Sequence, residues 1–112
     1  MWNAILKKVE FMNISTDYNL KLNNHFFNLA DFPDFVKFLE ISLAEVLDKA
    51  PSNSFFTVTA DIEDAFYIVK IKLASENLIV EETGAGQTPY YALDSAILKI
   101  NQDLDFWSFN KS

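Results

Sequence analysis

The chain contains no cysteine and no arginine, and it has a single histidine among its 112 residues. Without cysteine, disulfide bonds and thiolate chemistry are excluded, which is typical of a cytoplasmic protein. With one histidine and no serine in a nucleophile-elbow motif, no constellation for nucleophilic catalysis is visible. We therefore predict a protein that is not an enzyme and uses no cofactor, with His25 serving in loop packing.

The absence of arginine also bears on the partners of the chain. Nine lysines stand against sixteen acidic residues, which gives a formal net charge of −7. Arginine is the preferred side chain for bidentate contacts with phosphate and guanine, and an acidic protein repels a polyanion unless its lysines cluster. The composition therefore argues against a dedicated nucleic-acid-binding protein, and we expect no DNA partner. A basic protein partner would suit it, and solubility explains an acidic surface equally well.

Long hydrophobic runs are missing as well. No stretch of 18 uncharged apolar residues occurs, and the N-terminus lacks the features of a secretory signal. We expect no membrane partner and a cytoplasmic location. Half of the residues are nevertheless hydrophobic and eleven are phenylalanine, which is enough for a packed core in one domain over residues 1–112.

The clearest local signal is a helix near the C-terminus. Thr88 can cap this helix through its side-chain oxygen, and Pro89 suits the first helical position. Apolar residues then recur in steps of four and three, so they share one helical face that must be buried. These residues are Leu93, Ile97, Ile100, Leu104 and Trp107.

Both glycines of the chain lie just before this helix, in residues 84–87. We predict a turn there that needs positive φ, between a strand over residues 78–83 and the helix. The alternative is a backbone cradle for an anion at the helix N-terminus. Dinucleotide and P-loop motifs need a parallel β-α-β context, which is missing, so the turn is the preferred interpretation.

The N-terminal half alternates between strand and helix patterns. A strand is predicted within residues 5–14, and an asparagine-rich loop over residues 16–30, with a second short strand near residues 19–22 left open. A helix begins at Asp31-Phe32-Pro33-Asp34, with Asp31 as the cap candidate, and ends near Lys49.

Three strands with short connections follow, over residues 55–60, 66–74 and 78–83, and they predict an antiparallel meander. The acidic residues 61–64 are interpreted as a solvated turn, because a Ca²⁺ loop needs more oxygen ligands at longer spacing. No metal site is predicted.

The order β-α-β-β-β-α predicts an α+β two-layer sandwich, with two helices on one face of a four-stranded sheet. We expect residues 1–33 to form an N-terminal strand and loop extension and residues 34–107 to form the core.

This order and the last helix resemble the ribosome hibernation-promoting factor and protein Y family. In that family the helix opens with an aromatic-Ala-Ala-aliphatic-Asp pattern and continues with Lys-Leu-acid-base-Gln-Leu. Matching residues or close substitutes here are Tyr90, Ala92, Leu93, Asp94, Lys99, Ile100 and Leu104. The resemblance covers roughly residues 34–105.

The resemblance implies a stress-response factor that regulates translation by binding the small ribosomal subunit near its decoding region, through basic side chains on both helices. Candidate contacts with rRNA or another polyanion are Lys37, Lys70, Lys72 and Lys99. The last helix departs from the family pattern, because Gln102, Asp103 and Asp105 stand where the family tends to be basic.

In an alternative hypothesis, the chain has the same fold but does not bind rRNA, and it serves as an acidic protein-interaction module. Its interface would be the C-terminal aromatic residues Phe106, Trp107 and Phe109, or the open sheet face in a homodimer. Packing of these aromatic residues onto the core is the other interpretation of the cluster, and we favour it because aromatic area is strongly buried where it can be.

Overall fold

The computed structural model describes residues 2–11, 14–23 and 32–111. Seven elements follow one another: β1 (Trp2–Phe11), β2 (Ile14–Asn23), α1 (Phe32–Lys49), β3 (Phe55–Glu63), β4 (Phe66–Ala74), β5 (Ile79–Gly86) and α2 (Pro89–Lys111). The strands form one sheet in the order β1-β2-β3-β4-β5. Neighbouring strands are antiparallel except β2 and β3, which are parallel and connected through α1.

The predicted α+β two-layer class and the order β-α-β-β-β-α are confirmed by the elements from β2 to α2. The strand predicted within residues 5–14 corresponds to β1 and pairs with β2 over its whole length, so the sheet has five strands in the described part of the chain. The predicted antiparallel meander is also confirmed, in β3, β4 and β5.

The strand β2 was only partly predicted, since most of its sequence was interpreted as a loop. Its polar residues conceal an alternation in which Tyr18 and Leu20 are fully buried, whereas Lys21 is exposed. One buried face is sufficient for a strand that lies between two others in a sheet. The division of the chain at residue 33 stays a prediction, although β2 contributes to the same core as the later elements.

The core lies between the sheet and the two helices. Alternate residues of β3 and β4 are buried, and so are four of the five residues of the predicted stripe on α2. The fifth, Trp107, is half-buried. The buried residues of these elements are Phe56, Val58, Ala60, Val69, Ile71, Leu73, Leu93, Ile97, Ile100 and Leu104.

The helix α1 ends where the sequence predicts. Its last residue is Lys49, and the buried Pro51 follows two residues later. The hydroxyl of Ser54 donates a hydrogen bond to the Pro51 carbonyl over 2.6 Å, which fixes the exit from the helix. The predicted cap, Asp31, and the lone histidine, His25, both lie outside the described residues.

The turn between β3 and β4 is later and tighter than predicted. The strand β3 continues to Glu63, and the turn consists of Asp64 and Ala65, whose φ angles are 50° and 69°. Positive φ at both positions is the geometry of a two-residue hairpin that follows the sheet twist. The prediction of a turn at residues 61–64 was therefore wrong, because acidic residues on an exposed strand end resemble turn residues.

The glycines also have a different role from the predicted one. The strand β5 runs through Gly86, and neither glycine has a positive φ. A Cβ on Gly84 would lie 2.5 Å from Ala96 N and would overlap Ala92 O. Glycine is thus required here by the close approach of β5 to α2, not by a turn.

The start of α2 is confirmed. Pro89 is the first helical residue, and the backbone N–H of Tyr91 donates to Thr88 Oγ1 over 3.1 Å. This is the hydrogen bond that an N-terminal cap supplies. Within the described ranges, neither helix is long and apolar enough to cross a membrane.

Candidate functional site: the lysine face and the corner groove

Three lysines share the face of the sheet that is turned away from the helices. In the strand register, Lys21 on β2 lies opposite Thr59, and Thr59 lies opposite Lys70 on β4. Lys72 follows on the same side of β4, and all three lysines are exposed. With strands about 4.8 Å apart, the backbones at Lys21 and Lys70 are separated by about 10 Å. We call Lys21, Lys70 and Lys72 the lysine face.

The surroundings of the lysine face contain both hydroxyl and carboxyl groups. Thr83 on β5 lies opposite Lys70, and Thr57 on β3 lies opposite Lys72. Carboxyl groups lie on this side as well. Glu81 lies opposite Lys72 on the other side and forms a cross-strand pair of opposite charge, and Asp61 and Glu63 continue the alternation of Thr57 and Thr59 along β3. The face therefore offers three lysines beside hydroxyl groups, with carboxyl groups on β5 and toward the end of β3.

The other two predicted lysines lie in the helical layer and not in this patch. Lys37 is exposed on α1, and Lys99 on α2 donates to the Thr83 carbonyl over 2.7 Å. A further helical lysine, Lys49, forms an ion pair with Asp105 over 3.5 Å. Acidic residues outnumber lysines on the two helices: Asp34, Glu40, Glu45, Asp48, Asp94, Asp103 and Asp105. The structure thus brings Lys70 and Lys72 together on the sheet face, whereas Lys37 and Lys99 belong to the helices.

Lys21 was missed as a candidate because its segment was interpreted mainly as a loop. The signal that could have identified it is the alternation of Tyr18, Asn19, Leu20 and Lys21, in which every second residue is apolar. Such an alternation places Lys21 on the exposed face of a strand.

A groove lies at the corner between β5 and the C-terminal half of α2. Its volume is about 660 Å³. We call it the corner groove, and it is lined by Leu78, Val80, Glu81, Glu82, Asp103, Phe106, Trp107 and Asn110. The favoured interpretation that the aromatic cluster packs onto the core is wrong for Phe106 and Phe109, which are 72% and 80% exposed. Their role in a protein interface stays a prediction.

Two carboxyl groups meet in the corner groove. The pKa of Glu82 on β5 is raised, chiefly because its protonated form can donate a hydrogen bond to Asp103 on α2, and to a smaller degree by desolvation and the Asp103 charge. The charge of Lys99 opposes the shift. Sequence reasoning considered only pairs within one element, such as Glu81 with Glu82, and so missed a pair that tertiary packing creates.

The substitution Glu82→Gln should raise stability at neutral pH. Below its ordinary pKa of 4.5, Glu82 is protonated and can donate a hydrogen bond to Asp103, which stabilises the folded protein. This contribution to stability is lost as the pH rises through the raised pKa of Glu82 in the folded state. Glutamine keeps a hydrogen-bond donor and carries no charge. We therefore expect the free energy of unfolding to rise by less than about 1 kcal/mol at about pH 7.5, and this gain should vanish near about pH 4. Urea denaturation at both pH values measures it. Glu81→Gln is the control, and an equal gain there would contradict the pairing.

Comparisons with known proteins add to this geometry. No protein-family model matches the sequence, and no curated protein matches it either. Among solved structures, the N-terminal domain of Protein Y from Thermus thermophilus aligns with a TM-score of 0.65 and 14% identity, over 79% of this chain and 92% of that domain. A ribosomal subunit interface protein from Coxiella burnetii aligns with a TM-score of 0.58 and 14% identity, over 68% of this chain and 84% of that chain. At this identity the likeness establishes a shared fold: this chain has the fold of Protein Y-type domains.

Proposed function

We propose that this chain is a non-enzymatic, ribosome-associated factor that binds the small ribosomal subunit and modulates translation from the cytoplasm. The observation that supports it most is the fold, which aligns with nearly the whole Protein Y domain, 92% of its length. The solved structure from Coxiella burnetii with this fold is described as a ribosomal subunit interface protein. The residue pattern of α2 points to the same group of proteins independently of the coordinates.

The contact surface in this proposal is the lysine face. The helical layer carries more acidic residues than lysines, and two of its lysines, Lys49 and Lys99, are held by contacts within the chain. A phosphate backbone would be repelled by that layer and attracted by Lys21, Lys70 and Lys72. Binding through phosphates needs no arginine, because lysine is an effective point charge for phosphate.

Co-sedimentation with small ribosomal subunits over a salt series tests this function. We expect a bound fraction that falls as salt rises. Replacing Lys21, Lys70 and Lys72 together by glutamine should weaken binding about tenfold and flatten the slope of log affinity against log salt by about 2. The control is Lys37→Gln, which removes an exposed helical lysine and should change binding little.

The outcomes separate the function from the surface. If Lys37→Gln weakens binding more than Lys70→Gln does, the ribosome is bound through the helical layer and the assignment of the lysine face is wrong. If the unmodified chain does not sediment with the subunit even at low salt, ribosome binding itself is excluded. The acidic interaction module is then the better account of the fold.

A further inference from the structure

The corner groove is built by one stripe of α2 and one face of β5. Asp103, Phe106, Trp107 and Asn110 follow the spacing i, i+3, i+4, i+7, which places them on one side of the helix. Val80 and Glu82 alternate along β5 on the side turned toward the helix, and Leu78 directly precedes the strand. Because β5 is the last strand of the sheet, no further element of the described chain covers this corner.

The chemistry of the groove is divided between an apolar floor and an acidic rim. Leu78, Val80 and Trp107 are only partly exposed, whereas Phe106 presents most of its ring to solvent. The rim consists of Glu81, Glu82 and Asp103, and no lysine lines the groove among the described residues. Exposed aromatic area beside a group of acids is a combination that folding alone does not require.

The charges decide which occupant fits. A nucleic acid would be repelled by the rim, and a second copy of this chain would bring its own acids against it in a molecule of net charge −7. A segment that alternates basic and apolar side chains would satisfy both parts of the groove.

We propose that the corner groove binds a cationic peptide segment of a partner protein, with its apolar side chains against Phe106 and Trp107 and its basic side chains at Glu82 and Asp103. The volume of about 660 Å³ accommodates several side chains of such a segment. The side chains assigned to this binding, Phe106, Trp107, Glu82 and Asp103, are not part of the lysine face.

The probe is a short peptide of alternating lysine and leucine, added to the full chain carrying Trp2→Phe so that Trp107 is the only tryptophan. Binding should change the fluorescence of Trp107. Two matched peptides, one with glutamate in place of lysine and one with serine in place of leucine, should bind at least about tenfold more weakly.

Variants locate the binding. Phe106→Ala should weaken it about tenfold and Glu82→Gln about threefold, because the first removes apolar contact and the second one charge. Both side chains lie outside the core, so the fold is retained. The controls on the same helix are Tyr91→Ala, an aromatic side chain that is 67% exposed, and Asp94→Asn, an exposed acid. Neither should change the affinity.

Three results would overturn the proposal. Equal effects of Asp94→Asn and Glu82→Gln would mean general charge attraction without a site. Equal binding of the glutamate peptide would mean an apolar cleft without selectivity for cations. A dimer in size-exclusion chromatography that Phe106→Ala dissociates would assign the groove to a second copy of the chain.

Discussion

Replacing Gly84 by alanine should destabilise the protein by about 3 kcal/mol, the largest effect we expect from so small a change. The added Cβ would overlap Ala92 O and lie 2.5 Å from Ala96 N. Both are backbone atoms of α2, so the overlap can be removed only if the whole helix moves away from β5. That movement would open the core along the buried stripe of the helix, and the entropy that alanine removes from the unfolded chain offsets only a small part of the cost.

Gly86→Ala is the matched control. Its added Cβ would meet the side chain of Tyr91, with 2.5 Å to Cδ1, and this ring is 67% exposed and can move away. We expect a cost of about 1 kcal/mol. Urea denaturation followed by circular dichroism measures both variants. Similar costs for the two would show that contact between β5 and α2 at Gly84 is not as close as the structure places it.

Replacing Tyr18 by alanine should cost about 3–5 kcal/mol, the usual range for a buried aromatic side chain. Tyr18 is fully buried on β2, and its hydroxyl donates to Glu40 Oε2 on α1 over 3.0 Å. Burial, and then the charge and hydrogen bond of Glu40, raise the pKa of Tyr18 far above its ordinary value, so the phenol stays protonated and keeps donating. For a domain of this size such a loss is a large fraction of the total stability.

Tyr18→Phe separates packing from hydrogen bonding and should cost about 1–2 kcal/mol, because the ring remains and Glu40 loses its donor. Lys21→Ala, on the exposed face of the same strand, should be nearly neutral. The equilibrium urea midpoint is the measurement. A loss below about 1 kcal/mol for Tyr18→Ala would indicate that residues 34–107 fold without β2, as the predicted division of the chain would allow.

The elements with a strong period were predictable from the sequence. The helix α2 has a cap, a proline at the first position and a stripe that repeats every three or four residues, and all three are confirmed. The strand β4 alternates Lys70 and Lys72 with apolar neighbours, so its exposed face could be assigned in advance. Such local patterns predict the fold because each element buries one face, so its apolar residues recur with the period of that helix or strand.

The remaining features depend on how elements meet. Nothing local in the sequence marks Gly84 as the point where a strand touches a helix, so a turn was the natural prediction. Glu82 and Asp103 lie on different elements, so no pattern within one element predicts their proximity. The corner groove forms where the last strand of the sheet meets α2, and sequence periodicity carries no information about that position. The candidate site was therefore only partly predictable: Lys70 and Lys72 from alternation, and Lys21 and the groove only from the tertiary structure.

The hydrogen bond from Lys99 to the Thr83 carbonyl also bears on self-association. β5 has no neighbour on its outer side among the described strands, and an outermost strand offers unpaired backbone groups to other chains. Lys99 occupies one of these acceptors and places an ammonium group beside it. Another molecule could extend the sheet past Thr83 only by displacing this lysine and leaving its charge unpaired. A side chain first considered for binding RNA thus hinders the pairing of another chain with β5 at Thr83.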